Sequence, residues 1–128
     1  GQPAPDLLLA DADAAPCYLS ACFGRGFVLL ASAPGAAQAQ CLQALADATL
    51  TAPEPLRLLP VGGAAPHAWE DPHGHLRDRF GARPGSVYLL RPDGYVLGRW
   101  DQPDEFVLRA ALAPYYPMIL ATVPEPHA

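Results

Sequence analysis

The stretch Asp71-Pro72-His73-Gly74-His75-Leu76-Arg77-Asp78-Arg79-Phe80-Gly81-Ala82, followed by Val87-Tyr88-Leu89-Leu90-Arg91-Pro92-Asp93-Gly94, decides the fold. A turn at Asp71–Gly74 opens it. Leu76 to Phe80 then reads as a short helix ending in an aromatic, and Gly81 closes it. Ser86 to Leu90 is a continuous apolar run and reads as a buried strand. Pro92-Asp93-Gly94 is a strong turn signal, and Tyr95 to Trp100 reads as the returning strand of a hairpin. Gly74 and Gly81 supply backbone conformations that other residues resist.

Working outward, the same alternation continues. Leu7 to Ala10 reads as an edge strand and Asp11 with Asp13 as a turn. Cys17 to Phe23 reads as a short amphipathic helix stopped by Gly24. Phe27 to Ala31 is apolar throughout, as a strand buried on both faces should be. Gln38 to Ala48 shows helical spacing, with Pro34 suited to its first turn. Leu56 to Val61 is the next strand, and Gly62 to Asp71 is loop-rich. Asp101 to Asp104 can cap a last helix, Glu105 to Ala113, which Pro114 and Pro117 stop. The order β-α-β-α-β-α-β-β-α predicts an α/β thioredoxin-like fold: a mixed central sheet flanked by helices. In it, 27–31 and 56–61 should be parallel neighbours.

Composition sets bounds. The chain has 128 residues, of which 51% are hydrophobic, which suits one domain with one sizeable core and argues against disorder despite 16 prolines. The net charge of −5 argues against a nucleic-acid partner. No apolar run approaches a membrane span, and no signal peptide is visible, so we expect a cytoplasmic protein without membrane association. All eight basic residues are arginine. The chain opens on Gly1 and its only methionine is Met118; with the linker-like start at residues 1–6, this gives the expectation of a domain cut from a longer protein. Residues 7–122 form the expected domain and 123–128 a frayed tail.

The chemistry is less promising than the fold. A thioredoxin-like chain should carry its redox cysteine where the second strand meets the second helix, yet that junction reads Ala31-Ser32-Ala33-Pro34-Gly35-Ala36-Ala37, without the CxxC. Cys17, Cys22 and Cys41 are an odd count with neither redox nor zinc-knuckle spacing, and read as free thiols in a reducing compartment. Cys41 lies too deep in its helix to replace the missing residue. A cis-proline facing such a site would fall near Ser86, with Pro84 two residues earlier. His67, His73 and His75, with Glu70 and Asp71, are donor-rich, but a solvated loop is the better reading than a zinc or nickel site. Gly24-x-Gly26 reads as a helix stop and turn, not a phosphate loop. Trp100 reads as core, and the pair Tyr115-Tyr116 as the better interface candidate. We therefore assign no catalytic, cofactor-binding or metal residue.

The first-quoted stretch resembles the second half of the peroxiredoxin and thiol-peroxidase pattern, which supports the fold; the peroxidatic cysteine that pattern requires is missing. Three segments resemble one family more closely: Gly1-Gln2-Pro3-Ala4-Pro5-Asp6, Phe23-Gly24-Arg25-Gly26-Phe27-Val28-Leu29-Leu30, and Leu89-Leu90-Arg91-Pro92-Asp93-Gly94-Tyr95-Val96. The family is the C-terminal thioredoxin-like domain of FAD-dependent aromatic-ring hydroxylases of the phenol hydroxylase and (hydroxyphenyl)propionate hydroxylase type. The resemblance spans residues 1 to 113, departing at Cys22 and Leu90. It implies a non-catalytic packing or dimerisation domain within a larger monooxygenase. FAD, NAD(P)H and a phenolic substrate would be handled by N-terminal domains of the same polypeptide, in a homo-oligomer. The alternative is a stand-alone degenerate thioredoxin- or peroxiredoxin-like protein.

Overall fold

The computed structural model describes residues 2–121; the 123–128 tail lies outside them. The central sheet has four strands: β3 (Val28–Ser32), β4 (Arg57–Val61), β5 (Ser86–Leu90) and β6 (Val96–Asp101), in the order β4-β3-β5-β6. β3 and β4 are parallel neighbours with Leu30 opposite Leu59, as expected. β5 runs antiparallel to both β3 and β6, which makes the sheet mixed. Val28 to Ala31 are all essentially buried, because β3 lies inside the sheet and is covered on both faces.

Side chains alternate along these strands and so divide two cores. Val28, Leu30, Leu59, Tyr88 and Leu90 join Leu19 and Leu76 on one face. Leu29, Ala31, Val87 and Leu89 meet Leu42, Leu45, Leu108 and Leu112 on the other. The second face is covered by α1 (Ala36–Asp47), α3 (Glu105–Leu112) and α4 (Met118–Ala121), the first by α2 (His75–Phe80). A bulge opposite Leu89/Leu90 shifts the register in β6. That extra residue, Leu97, lets Val96 pack on the first face and Trp100 on the second. Trp100 is thus half-buried core, and Gly98 leaves the room its ring occupies.

Most element expectations hold. α2 ends on Gly81 at φ +68. The Asp104 carboxylate caps α3 by accepting from the Val107 N–H at 2.8 Å. Three readings are corrected. First, β1 (Leu8–Ala10) is no strand of the central sheet; it pairs antiparallel with β2 (Pro16–Tyr18) in a separate two-stranded ribbon. Second, Cys17 to Phe23 is therefore not one helix. Its first half is β2, and only Leu19–Cys22 make a 3₁₀ turn. The Asp11 carboxylate closes this hairpin by accepting from the Asp13 and Ala15 N–H groups. Third, Pro34 precedes the N-cap Gly35 of α1 and lies outside its first turn.

Candidate functional site

The place to look is where β3 runs into α1. After Ser32 the chain turns sharply at Ala33, with φ +42, and passes Pro34 to the N-cap Gly35. Two loops pin this turn. The loop after β4 holds it through Ala33 N–H to the Val61 carbonyl (2.7 Å) and Ala64 N–H to the Pro34 carbonyl (2.9 Å). The loop before β5 holds it through Gly85 N–H to the Ser32 carbonyl (2.7 Å). The Gly85 carbonyl in turn accepts from the Gln38 amide (3.0 Å) and the Gln102 N–H (2.9 Å). No peptide bond among the described residues is cis, and Pro84 lies beside Gly85 in this facing loop.

An open groove of about 620 Å³ lies at this junction, between the start of α1 and the start of α3. Ala33, Ala37, Leu42 and Leu108 give it an apolar floor, Gln38 and Gln102 flank it, and Asp104 and Glu105 stand at the α3 end. Cys41 is its one sulfur. That thiol is half-buried, and burial pushes its pKa up; Glu105 and Asp104 push the same way and Arg109 opposes them. A redox or peroxidatic cysteine needs the opposite shift, toward thiolate. Cys22 is buried on the other face of the sheet and is likewise pushed up, chiefly by burial. Cys17 lies in β2. All three thiols are free.

The histidine loop does not converge. The His75 Nδ1 accepts from the Leu8 N–H at 3.2 Å, fixing β1 to the start of α2. The His73 ring lies 5.5 Å from it, and His67 sits at φ +55 in the preceding loop. Among the described residues, no three histidine, cysteine or carboxylate side chains gather to hold a metal ion.

The tyrosine pair divides. Tyr116 is buried, donates its hydroxyl to the Glu54 carbonyl (2.8 Å) and accepts from the Phe27 N–H (3.5 Å). It is a core clamp and not an interface residue. Tyr115 stays exposed, its ring 4.6 Å from that of Phe27. Sequence reasoning missed the exposed face of α3. Phe106 is 79% exposed, with Val107 and Ala110 beside it. The signal was present: the buried leucines 108 and 112 put 106 and 110 on the opposite side of the helix.

Fold and site together define a thioredoxin-like domain whose redox junction carries no cysteine and whose nearest thiol is pushed by burial toward its protonated form. No protein-family model matches the chain, and no curated protein matches it. Among solved structures it is similar to aklavinone-11 hydroxylase, solved with FAD and aklavinone, at 26% identity and a TM-score of 0.70, over 91% of this chain and 21% of that one. It is also similar to the flavin-dependent monooxygenase PieE, solved with FAD and substrate, at 26% identity and a TM-score of 0.62, over 94% of this chain and 19% of that one. The peroxidoxin BcpB from Mycobacterium tuberculosis matches end to end, over 96% and 97% of the two chains, at 18% identity and a TM-score of 0.63; this likeness concerns the fold alone. The chain thus spans about a fifth of each hydroxylase, and it resembles a domain-sized part of FAD-dependent hydroxylases, as its three segments implied. No helix among the described residues is long and apolar enough to cross a membrane.

Proposed function

We propose that this chain is a non-catalytic, C-terminal domain of a FAD-dependent monooxygenase that hydroxylates an aromatic, phenolic substrate. The observation that carries the reading is the pair of matches to FAD-dependent hydroxylases, each covering more than nine-tenths of this chain at 26% identity. The cysteine-free junction and the upward push that burial gives the Cys41 thiol agree with it, since both work against thiol chemistry. In this reading FAD and NAD(P)H bind in preceding domains of the same cytoplasmic polypeptide. This domain supplies contact surface within a homo-oligomer. The exposed side of α3, where Phe106, Val107 and Ala110 lie together, supports that role as surface open to packing.

The test is the full-length protein from the source gene. It should purify yellow, with the absorption of bound FAD, and should oxidise NAD(P)H faster when a phenolic substrate is added. A full-length product that begins immediately before Gly1 and carries no flavin would overturn the reading. It would leave the stand-alone degenerate thioredoxin- or peroxiredoxin-like alternative.

A further inference from the structure

We propose that the groove between the N-terminal segment and the end of α2 receives a carboxylate side chain from the preceding part of the polypeptide, a docking that rests on the reading above. The groove measures about 330 Å³ and has two guanidinium groups, Arg79 and Arg99, on its lining. Both are held by carbonyls, which fix their positions without cancelling their charge. Arg79 Nη1 donates to the Asp6 carbonyl at 2.7 Å. Arg99 donates to the Phe80 and Gly81 carbonyls at 3.1 and 2.9 Å, and its guanidinium lies 5.3 Å above the Tyr88 ring.

The carboxylates close by are already engaged or weakly placed. Asp6 turns its carboxylate to the Leu7 and Ser20 N–H groups and the Ser20 hydroxyl. Asp101 accepts from the Ser86 hydroxyl and reaches Arg99 only at 3.8 Å, where both side chains are exposed and water weakens the pair. Asp78 pairs with Arg77. Among the described residues no carboxylate lies within 4.0 Å of the Arg79 guanidinium. Arg79, oriented by a carbonyl and without a carboxylate partner, beside Arg99, which Asp101 reaches only at 3.8 Å, fits a carboxylate, which a guanidinium binds in a planar, two-point geometry. Phe80 and Pro5 offer an apolar wall for the methylene stem that carries it.

The source of that carboxylate follows from how the groove is built. Its outer wall is the chain's own entry segment. Pro3 bridges Tyr95, the Val96 N–H donates to the Gln2 carbonyl (2.9 Å) and the Ala4 N–H to the Gly94 carbonyl (2.8 Å). Any polypeptide preceding Gln2 leaves from the rim of this groove, so the preceding body is the partner with the highest effective concentration there.

The chain has no lysine, which gives a direct test in the full-length protein. In Arg79→Lys, a water-soluble carbodiimide should join position 79 to an Asp or Glu of the preceding body, read by mass spectrometry of the digested protein. In Arg79→Glu, amide exchange in segments 2–6 and 80–82 should accelerate roughly fivefold to tenfold, the loss of about one charged contact. Raising salt from about 50 mM to about 500 mM should do the same to the unmutated protein. Absence of the cross-link with unchanged exchange in Arg79→Glu would overturn the docking. So would a cross-link found only between two copies, distinguished by mixing isotope-labelled and unlabelled protein. The flavin spectrum of the same preparation separates the two readings: flavin with neither the cross-link nor the change in exchange sinks the docking alone, and the cross-link without flavin sinks the hydroxylase reading alone.

Discussion

Gly63→Ala should destabilise the domain by an amount that the junction geometry sets. Gly63 has φ +77, a conformation that costs an alanine about 1–2 kcal/mol. A Cβ there would also sit 2.4 Å from the Pro34 carbonyl oxygen and 2.6 Å from the Ala33 carbonyl carbon. Both are backbone atoms, and the two strands of chain are tied together on either side by the Ala33–Val61 and Ala64–Pro34 hydrogen bonds. Relief therefore requires breaking at least one of them, a further cost of about 1–3 kcal/mol. The sum is about 2–5 kcal/mol. Gly24→Ala is the matched control: it has φ +97 but nothing within 4 Å of the added Cβ, so it isolates the backbone cost. In urea unfolding followed by circular dichroism, Gly63→Ala should lower the midpoint by about 1–2 M, well beyond the shift from Gly24→Ala. Equal shifts for the two variants would refute the claim that the loop after β4 clamps the β3–α1 junction.

Four further outcomes are expected. Thr49→Val should cost about 1–3 kcal/mol in the same assay, because the fully buried hydroxyl is the acceptor for the buried Leu56 N–H at 2.8 Å; Thr49→Ser, which keeps that acceptor, should cost less. Stability should fall on the alkaline side: Cys22, Cys41, Tyr88 and Tyr116 are all pushed up chiefly by burial, so the unfolded chain ionises first. Their contribution is fully present below the ordinary thiol range, about 8.5, and is lost as pH rises through the raised folded values, visible as a falling melting temperature. The isolated chain should show no disulfide-reductase or peroxidase turnover, and iodoacetamide should label Cys41 more slowly at neutral pH than it labels free cysteine; thiol-dependent peroxide consumption abolished by Cys41→Ser would contradict this. Phe106→Glu in the full-length protein should weaken self-association in sedimentation while leaving the flavin spectrum unchanged.

The sheet was legible because its inner strands are continuous apolar runs between turn signals. Phe27 to Ala31 and Ser86 to Leu90 admit no other reading, and Pro92-Asp93-Gly94 fixes the hairpin between β5 and β6. β1 was read as a strand, but β2 and the pairing of the two were not legible, since three-residue strands carry no period. Pro16-Cys17-Tyr18 becomes a strand only because Leu9 stands opposite Cys17 and Asp11 closes the turn between them. The bulge at Leu97 was hidden for a related reason. The run Tyr95 to Trp100 alternates well enough as a regular strand, and only pairing with β5 shows where one residue is surplus. Tyr115 and Tyr116 looked alike because adjacency in sequence says nothing of side. The turn after α3 sends one ring outward and the other beneath Phe27, where Glu54, distant in sequence, supplies the acceptor. The absence of cysteine from Ala33-Pro34-Gly35-Ala36 was legible at once, whereas the paired arginines of the N-terminal groove came together only through the fold.

That contrast bears on what the scaffold is kept for. A thioredoxin-like junction exposes its first helical turn so that a thiolate can meet another molecule. Here the same turn is fastened from two sides, by Ala64 on one loop and Gly85 on the other, and Gln38 spends its amide on the facing loop. The remaining thiol lies in the groove but is pushed toward its protonated form. Each of these features costs reactivity and adds rigidity. Arg79, held by a carbonyl but without a carboxylate partner among the described residues, lies elsewhere, at the N-terminal groove, and the exposed Phe106 lies on α3. A tied-down junction beside an arginine-lined groove and an exposed Phe106 suits the packing role proposed above for a domain of a larger flavoprotein.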